Sequence, residues 1–249
     1  MMRHVPGYRL HATLAVAALG LSLSATAATP PDGHNARNAL DWAGTYIGTL
    51  PSGSGSGYQT LLVLRDKQRY DLYQQIEHKG ETYREATRNQ RFRWDKSGSV
   101  IQLSARNDRQ RYFVSEGYVE LQGSQGRQTG KLAEDYRLQQ MHRHAGQKEE
   151  LLIDPRKLQP RQPAGQQVSF DGIWNMQHAT QLGHRSLAAR FVLNCKQQSY
   201  RMNDVRYYSR SHLQGKLLDS MRGQQGHDIP VTPEDKVMTE VMQTYCAAR

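Results

Sequence analysis

Residues 39–58 constrain this chain of 249 residues more than any other stretch, because ALDWAGTYIGTLPSGSGSGY joins a strand, a stop and a turn. Trp42, Tyr46, Ile47 and Leu50 are apolar or aromatic, with Gly44 and Gly48 between them. An aromatic anchor followed by Gly-x-Tyr-x-Gly-x-Leu reads as the first strand of a small barrel, with glycines where the strand must bend. Pro51 ends that strand, since proline cannot donate to the next ladder position. Ser52 to Gly57 alternates serine and glycine and offers no side chain large enough to pack. The strand then resumes over Tyr58, Gln59, Thr60 and the run Leu61-Leu62-Val63-Leu64.

Short strands follow one another through the first half. Arg69 to Tyr73 alternates aromatic or apolar with polar residues, the period of a half-buried strand. Tyr83 to Trp94 comes after a hairpin turn at His78-Lys79-Gly80-Glu81, and Asp95 to Ser99 marks the next reversal. Strands at 100–103, 111–114, 118–121 and 135–138 complete about eight, which predicts a closed antiparallel barrel or sandwich.

Asp41, Trp42, Gly44, Tyr46, Gly48, Leu50, Pro51 and Gly57 carry a family pattern. With them this half resembles the N-terminal domain of the NlpE family, envelope lipoproteins associated with copper resistance and sensing of envelope stress. The likeness extends through Trp94, Ile101-Gln102-Leu103 and Lys131-Leu132-Ala133 to about Leu138, and it implies a small lipocalin-like barrel. At the two cysteine positions of the family's Cys-x-x-Cys this chain has Ser52 and Gly55. Thiolates select Cu(I) because they are soft, and neither a hydroxyl nor a glycine replaces them. The loop is therefore expected to hold no copper, and no cofactor or metal is expected elsewhere.

The ends and joints are read from composition. Arg3 and Arg9 precede an apolar run, Leu10 to Leu23, too short for a stable membrane anchor, and Ala25-Thr26-Ala27 supplies a small-x-small cleavage pattern. Residues 1–27 are thus expected to be a signal peptide cleaved near Ala27, followed by a disordered lead-in over 28–38. No cysteine occurs before Cys195, so the chain is not expected to be lipidated, and the shortness of its apolar run means that it is not expected to span a membrane. A barrel domain is expected over 39–153. Pro155, Pro160 and Pro163 among Gln, Arg and Gly read as a linker over 154–167.

The remainder, 168–249, reads as a small α+β domain. Phe170 to Trp174 opens it, Arg190 to Cys195 is a strand ending in cysteine, and Ser199 to Tyr208 is another with a bend at Asn203-Asp204. A helix is predicted with Thr232 as N-cap, Pro233 in its first position and Asp235 completing a capping box. Val237, Met238, Val241, Met242 and Tyr245 fall on one face of it, which assigns those methionines to core packing. Cys195-Lys196, Tyr200, Tyr207-Tyr208, Gly215, Pro230 or Pro233 and Cys246 give this half a resemblance to the surface-adhesin protein E family.

An exported chain meets an oxidising compartment, where two cysteines of one domain pair. Cys195 and Cys246 are expected to form a disulfide and to be the only route for redox sensitivity. The His142-Arg143-His144 run lies in a polar stretch and reads as surface histidines. No nucleophile elbow, zinc-protease helix, phosphate loop or dinucleotide fingerprint occurs, so no enzyme is expected. Formal net charge is +10, two units of it in the leader, and the arginines alternate with polar groups along strands. The partner implied is an envelope protein or an anionic surface rather than nucleic acid. The expected role is a non-catalytic, periplasmic or secreted NlpE-like part in envelope stress response or homeostasis. A small-ligand carrier using the barrel interior, or an adhesin acting through the second half, are the alternatives.

Overall fold

A computed structural model describes residues 35–53, 55–105, 109–159 and 166–247. The leader and its cleavage site lie outside the described residues. The first eight strands are β1 (Gly44–Leu50), β2 (Tyr58–Arg65), β3 (Arg69–His78), β4 (Glu81–Trp94), β5 (Val100–Leu103), β6 (Arg111–Ser115), β7 (Tyr118–Leu121) and β8 (Arg137–Gln140). Each pairs antiparallel with the next, and β1 pairs with β8, so the sheet closes as an up-and-down barrel. Closure needs Gly48: a Cβ there would stand 2.7 Å from the carbonyl of Arg137 on the facing strand.

The continuous apolar run on β2 is explained by two burials of opposite hand. Leu62 and Leu64 point inward with Tyr46, Tyr70, Leu72, Phe92, Tyr112 and Leu138, and together they fill the barrel. Leu61 and Val63 point outward, and so does Tyr73 on β3. They pack on Met141, Leu152 and Ile173 of the second half.

One charge is buried on the β7 side of the barrel. Glu120 has no solvent exposure and receives Nε and Nη2 of Arg127 at 3.0 and 3.1 Å and Nε of Arg137 at 3.3 Å. The Arg127 hydrogen bond, backed by Arg137, holds its carboxyl below the usual range although burial opposes ionisation. The two guanidiniums lie over the rings of Phe113 and Tyr118 at 4.0 and 4.6 Å.

Three boundaries differ from the sequence reading. The lead-in is ordered from residue 35: α1 (Ala36–Ala39) buries Ala36 in the barrel core, and Arg37 donates its N–H to the carbonyl of Gly98 at 2.9 Å. A small alanine fits that site, and general polarity hid it. The barrel ends at Gln140, because β9 (His142–Ala145) and β10 (Glu149–Ile153) belong to the second sheet. Leu151 and Ile153 face that sheet's core, while Leu152 packs on the barrel. The supposed linker is the connection between two adjacent antiparallel strands of this sheet, β10 and β11 (Gln167–Met176). The N–H of Asp154 reaches the carbonyl of Asp171 at 3.1 Å, Leu158 packs on the core, and Gln159 bridges Ser169. Residues 160–165 lie outside the described residues.

The second sheet adds β11 (Gln167–Met176), β12 (Ser186–Asn194), β13 (Ser199–Arg210) and β14 (Gln214–Met221), with the short β15 (Ile229–Pro230) on β13. The expected bend falls at a bulge in β13, where Asp204 has φ 53° and the register against β12 shifts. α2 (Lys236–Cys246) covers one face with Val237, Met238, Val241 and Met242. Its N-cap is Asp235, not Thr232. The Asp235 carboxylate accepts the Met238 N–H at 3.0 Å, whereas the Thr232 carbonyl closes a turn before the helix by accepting the Asp235 N–H. Cys195 and Cys246 are joined, with Cα atoms 5.4 Å apart across 51 residues. Replacing both by serine should lower stability by about 4 kcal/mol in the chain-entropy account, read as a lower urea midpoint. An unchanged midpoint would mean that α2 docks on packing alone.

Candidate functional site

The barrel interior offers its side chains to one another. Tyr46, Tyr70, Tyr112 and Phe92 are fully buried there, and Tyr46 donates its hydroxyl to the carbonyl of Trp42 at 2.7 Å. Burial raises that phenol far above its ordinary pKa, with Asp41 adding to the effect. Trp42, Phe92 and Trp94 close one end in mutually edge-on contacts, with centroids 5.5 to 6.0 Å apart. A ligand inside would have to displace these rings.

The serine-glycine loop has structural chemistry that the sequence did not reveal. Ser52 Oγ accepts the N–H of Gly57 at 3.1 Å, and the Ser52 carbonyl accepts that of Gly55 at 3.3 Å. Ser56 Oγ donates to the carbonyl of Glu77 at 2.7 Å. Gly57 has φ 70°, which admits glycine most readily. At the family's first cysteine position, a hydroxyl therefore fixes the turn.

The histidine run is not two surface residues. β9 turns His144 inward to the end of α2, where its Nδ1 lies 3.1 Å from Glu240 and its Nε2 lies 3.4 Å from the hydroxyl of Tyr245. His142 is exposed, stacks on the Tyr245 ring, and places Nδ1 2.9 Å from the same hydroxyl. Their separation of two residues on a strand was the missed signal, since it puts both rings on one face. The cluster pins the last turn of α2 next to the disulfide at Cys246.

A second polar network joins barrel and sheet. Asp71, on the outer side of β3, accepts Nη2 of Arg65 at 2.5 Å, the N–H of Asn89 at 2.6 Å and the Tyr73 hydroxyl at 3.3 Å. Burial opposes its ionisation, but the Arg65 and Asn89 hydrogen bonds and the Arg65 charge prevail and hold its pKa low. The Tyr73 ring stacks on His212, from the β13–β14 turn, at 5.9 Å. His212 donates its N–H to Asn175 Oδ1 at 2.7 Å, and its Nε2 lies 3.8 Å from Glu150. Burial keeps His212 hard to protonate against the pull of Glu150. Glu150 is desolvated as well, yet the Arg143 and Asn175 hydrogen bonds at 2.7 and 3.0 Å hold its pKa below the usual range.

These elements define a mainly β protein of two modules, a filled antiparallel barrel and a disulfide-linked sheet backed by one helix. Residues 46–131 match the NlpE N-terminal domain and residues 138–247 match surface-adhesin protein E. Both are families of the envelope or cell surface. A solved structure from Shewanella oneidensis, described as a "putative lipoprotein", is 36% identical, with 43% of this chain and 96% of that one covered and a TM-score of 0.40. Protein E of Haemophilus influenzae is 22% identical in one crystal form, over 39% of this chain and 80% of that one, with a TM-score of 0.31. In a non-typeable strain it is 19% identical, over 59% and 84%, with a TM-score of 0.30. No curated protein matches the chain. No helix among the described residues is long and apolar enough to cross a membrane.

The junction network makes a prediction about acid. Asp71 and Glu150 have lowered folded pKa values, so their stabilisation is complete above about pH 4 and fades as pH falls through those values. The folded pKa of His212 is also lowered, so its contribution is present above about pH 6.5 and is lost on acidification as the unfolded chain takes up the proton. Stability should fall from pH 7 to pH 5, and His212→Gln should make that fall shallower while leaving the loss below pH 4. Thermal unfolding across this range checks it, and an unaltered slope in the variant would contradict it.

Proposed function

We propose that this chain is an exported, non-catalytic envelope protein that acts by binding a protein partner, in an NlpE-like part in stress response or envelope homeostasis. Two family matches support the envelope assignment, and a disulfide suits an oxidising compartment. The carrier alternative loses ground to the four aromatic side chains that occupy the barrel interior. Copper binding at the loop is not part of this reading, since Ser52 and Gly55 stand at the thiolate positions.

The observation that carries partner binding is the β3–β4 hairpin. β4 pairs with β5 only over Phe92 to Trp94, while its pairing with β3 runs to the turn at Lys79-Gly80. From Glu81 to Gln90 its other edge has no strand beside it among the described residues, and nearly every side chain there is exposed. A two-residue turn makes His78 and Glu81 a hydrogen-bonded pair, so the backbone groups of Thr82, Arg84 and Ala86 point away from β3. Such an edge suits strand addition by an extended segment. Tyr83 is 53% exposed beside it.

A photo-crosslinking residue at position 83 should trap one discrete envelope protein in cells. Ala86→Pro, which removes an outward N–H without touching the β3 ladder, should abolish that adduct. Absence of a discrete adduct, or an adduct that survives Ala86→Pro, would overturn the reading.

A further inference from the structure

The two faces of the second sheet are covered differently. α2 lies on the face that carries Leu151, Phe170, Phe191 and Leu193. The opposite face meets the barrel through Leu152 and Ile173, and beside that contact lies a groove of about 350 Å³. Ile47 of β1, Met141 between the modules, Ile173, Ala188 and Leu213 make it apolar. Alanine at 188 keeps that surface low, where a longer side chain would fill the space.

Its charged residues are mostly committed. Asp154 accepts the N–H, Nε and Nη2 of Arg156 at 3.0, 3.0 and 2.8 Å. Asp171 is held by Nη1 of Arg190 at 3.1 Å, and Asp204 accepts the N–H of Gly223 at 2.7 Å. Lys157 and Arg206 also line the groove, and neither side chain has a hydrogen bond or ion pair among the described residues. An apolar trough whose two uncommitted cations outnumber the one carboxylate without a cation partner, Asp204, keeps an excess of positive charge.

We propose that this groove binds a single-chain anionic amphiphile, its alkyl chain against Ile47, Met141, Ala188 and Leu213 and its carboxylate or phosphate head on Lys157 and Arg206. The planar guanidinium fork can engage two oxygens of either head, and apolar walls strengthen the attraction by excluding water. The volume is at the low end for ligand sites, which favours one chain over two. A neutral amphiphile would gain the floor without the cations, and a cationic one would meet them unfavourably. This site is independent of the β4 edge, and either can fail without the other.

The test is calorimetric titration of the mature chain with dodecanoate and with dodecyl phosphate, each below its micelle concentration. Dodecanol and dodecyltrimethylammonium serve as controls. At least one anion should bind, and the preferred one says whether the natural head is a carboxylate or a phosphate. Shortening that anion's chain toward eight carbons should weaken binding by about fourfold per methylene. Lys157→Gln, on an exposed turn where the fold does not need it, and Arg206→Gln should each weaken binding about tenfold. Added salt should weaken it too. No binding of either anion, equal binding of the cationic control, or undiminished affinity in Lys157→Gln would overturn the proposal.

Discussion

The structure depends on an outward-facing apolar stripe of the barrel that must be covered. A strand with one wet face alternates, and β2 does not: Leu62 and Leu64 fill the barrel while Leu61 and Val63 face out. Left in water, such side chains would each forgo roughly 1.5–3 kcal/mol of burial. The second sheet supplies the cover through Met141, Leu152 and Ile173. The described residues accordingly cluster as one compact unit, not as two bodies on a tether.

Several features follow from that seam. The chain passes from β8 to β9 through Met141 alone, so the first strand of the second sheet starts where the barrel ends. Asp71 and Tyr73 can be buried on the outside of a barrel because His212, Arg65 and Asn89 are brought or held beside them. The sheet then needs its own cover on the far face, which α2 provides, tied by Asp235 at its start and by Tyr245 and Cys246 at its end. The barrel edge that the sheet does not reach, along β4, is left open.

What the sequence made legible were features with a local cause. The strand starting at Gly44, the hairpin at Lys79-Gly80, the apolar face of α2 and the cysteine pair each follow from spacing or from compartment. Element limits were harder where two local signals compete. Thr232-Pro233 is a good helix start by type, but Asp235 sits closer to the first buried residue, Val237, and takes the cap. The prolines after Asp154 look like a tether, yet Leu158 among them is apolar enough to anchor the connection from β10 to β11. β14 went unread because its side chains are half or fully exposed and show no alternation. The junction was legible only as the unbroken apolar run on β2, while its partners Met141, Leu152 and Ile173 lie some eighty to a hundred and ten residues away and carry no sign of the contact.

Of the candidate sites, the cysteine positions could be judged from sequence because thiolate chemistry is a property of residue type. The β4 edge and the groove could not, since each is defined by which neighbours are missing or apart. The central claim is that barrel and sheet fold as one cooperative body through the Leu61–Val63 seam. Scanning calorimetry of the intact chain at neutral pH tests it most directly. The account predicts a single transition whose calorimetric and van't Hoff enthalpies agree. Two separate transitions, with the barrel melting independently of the sheet, would contradict it.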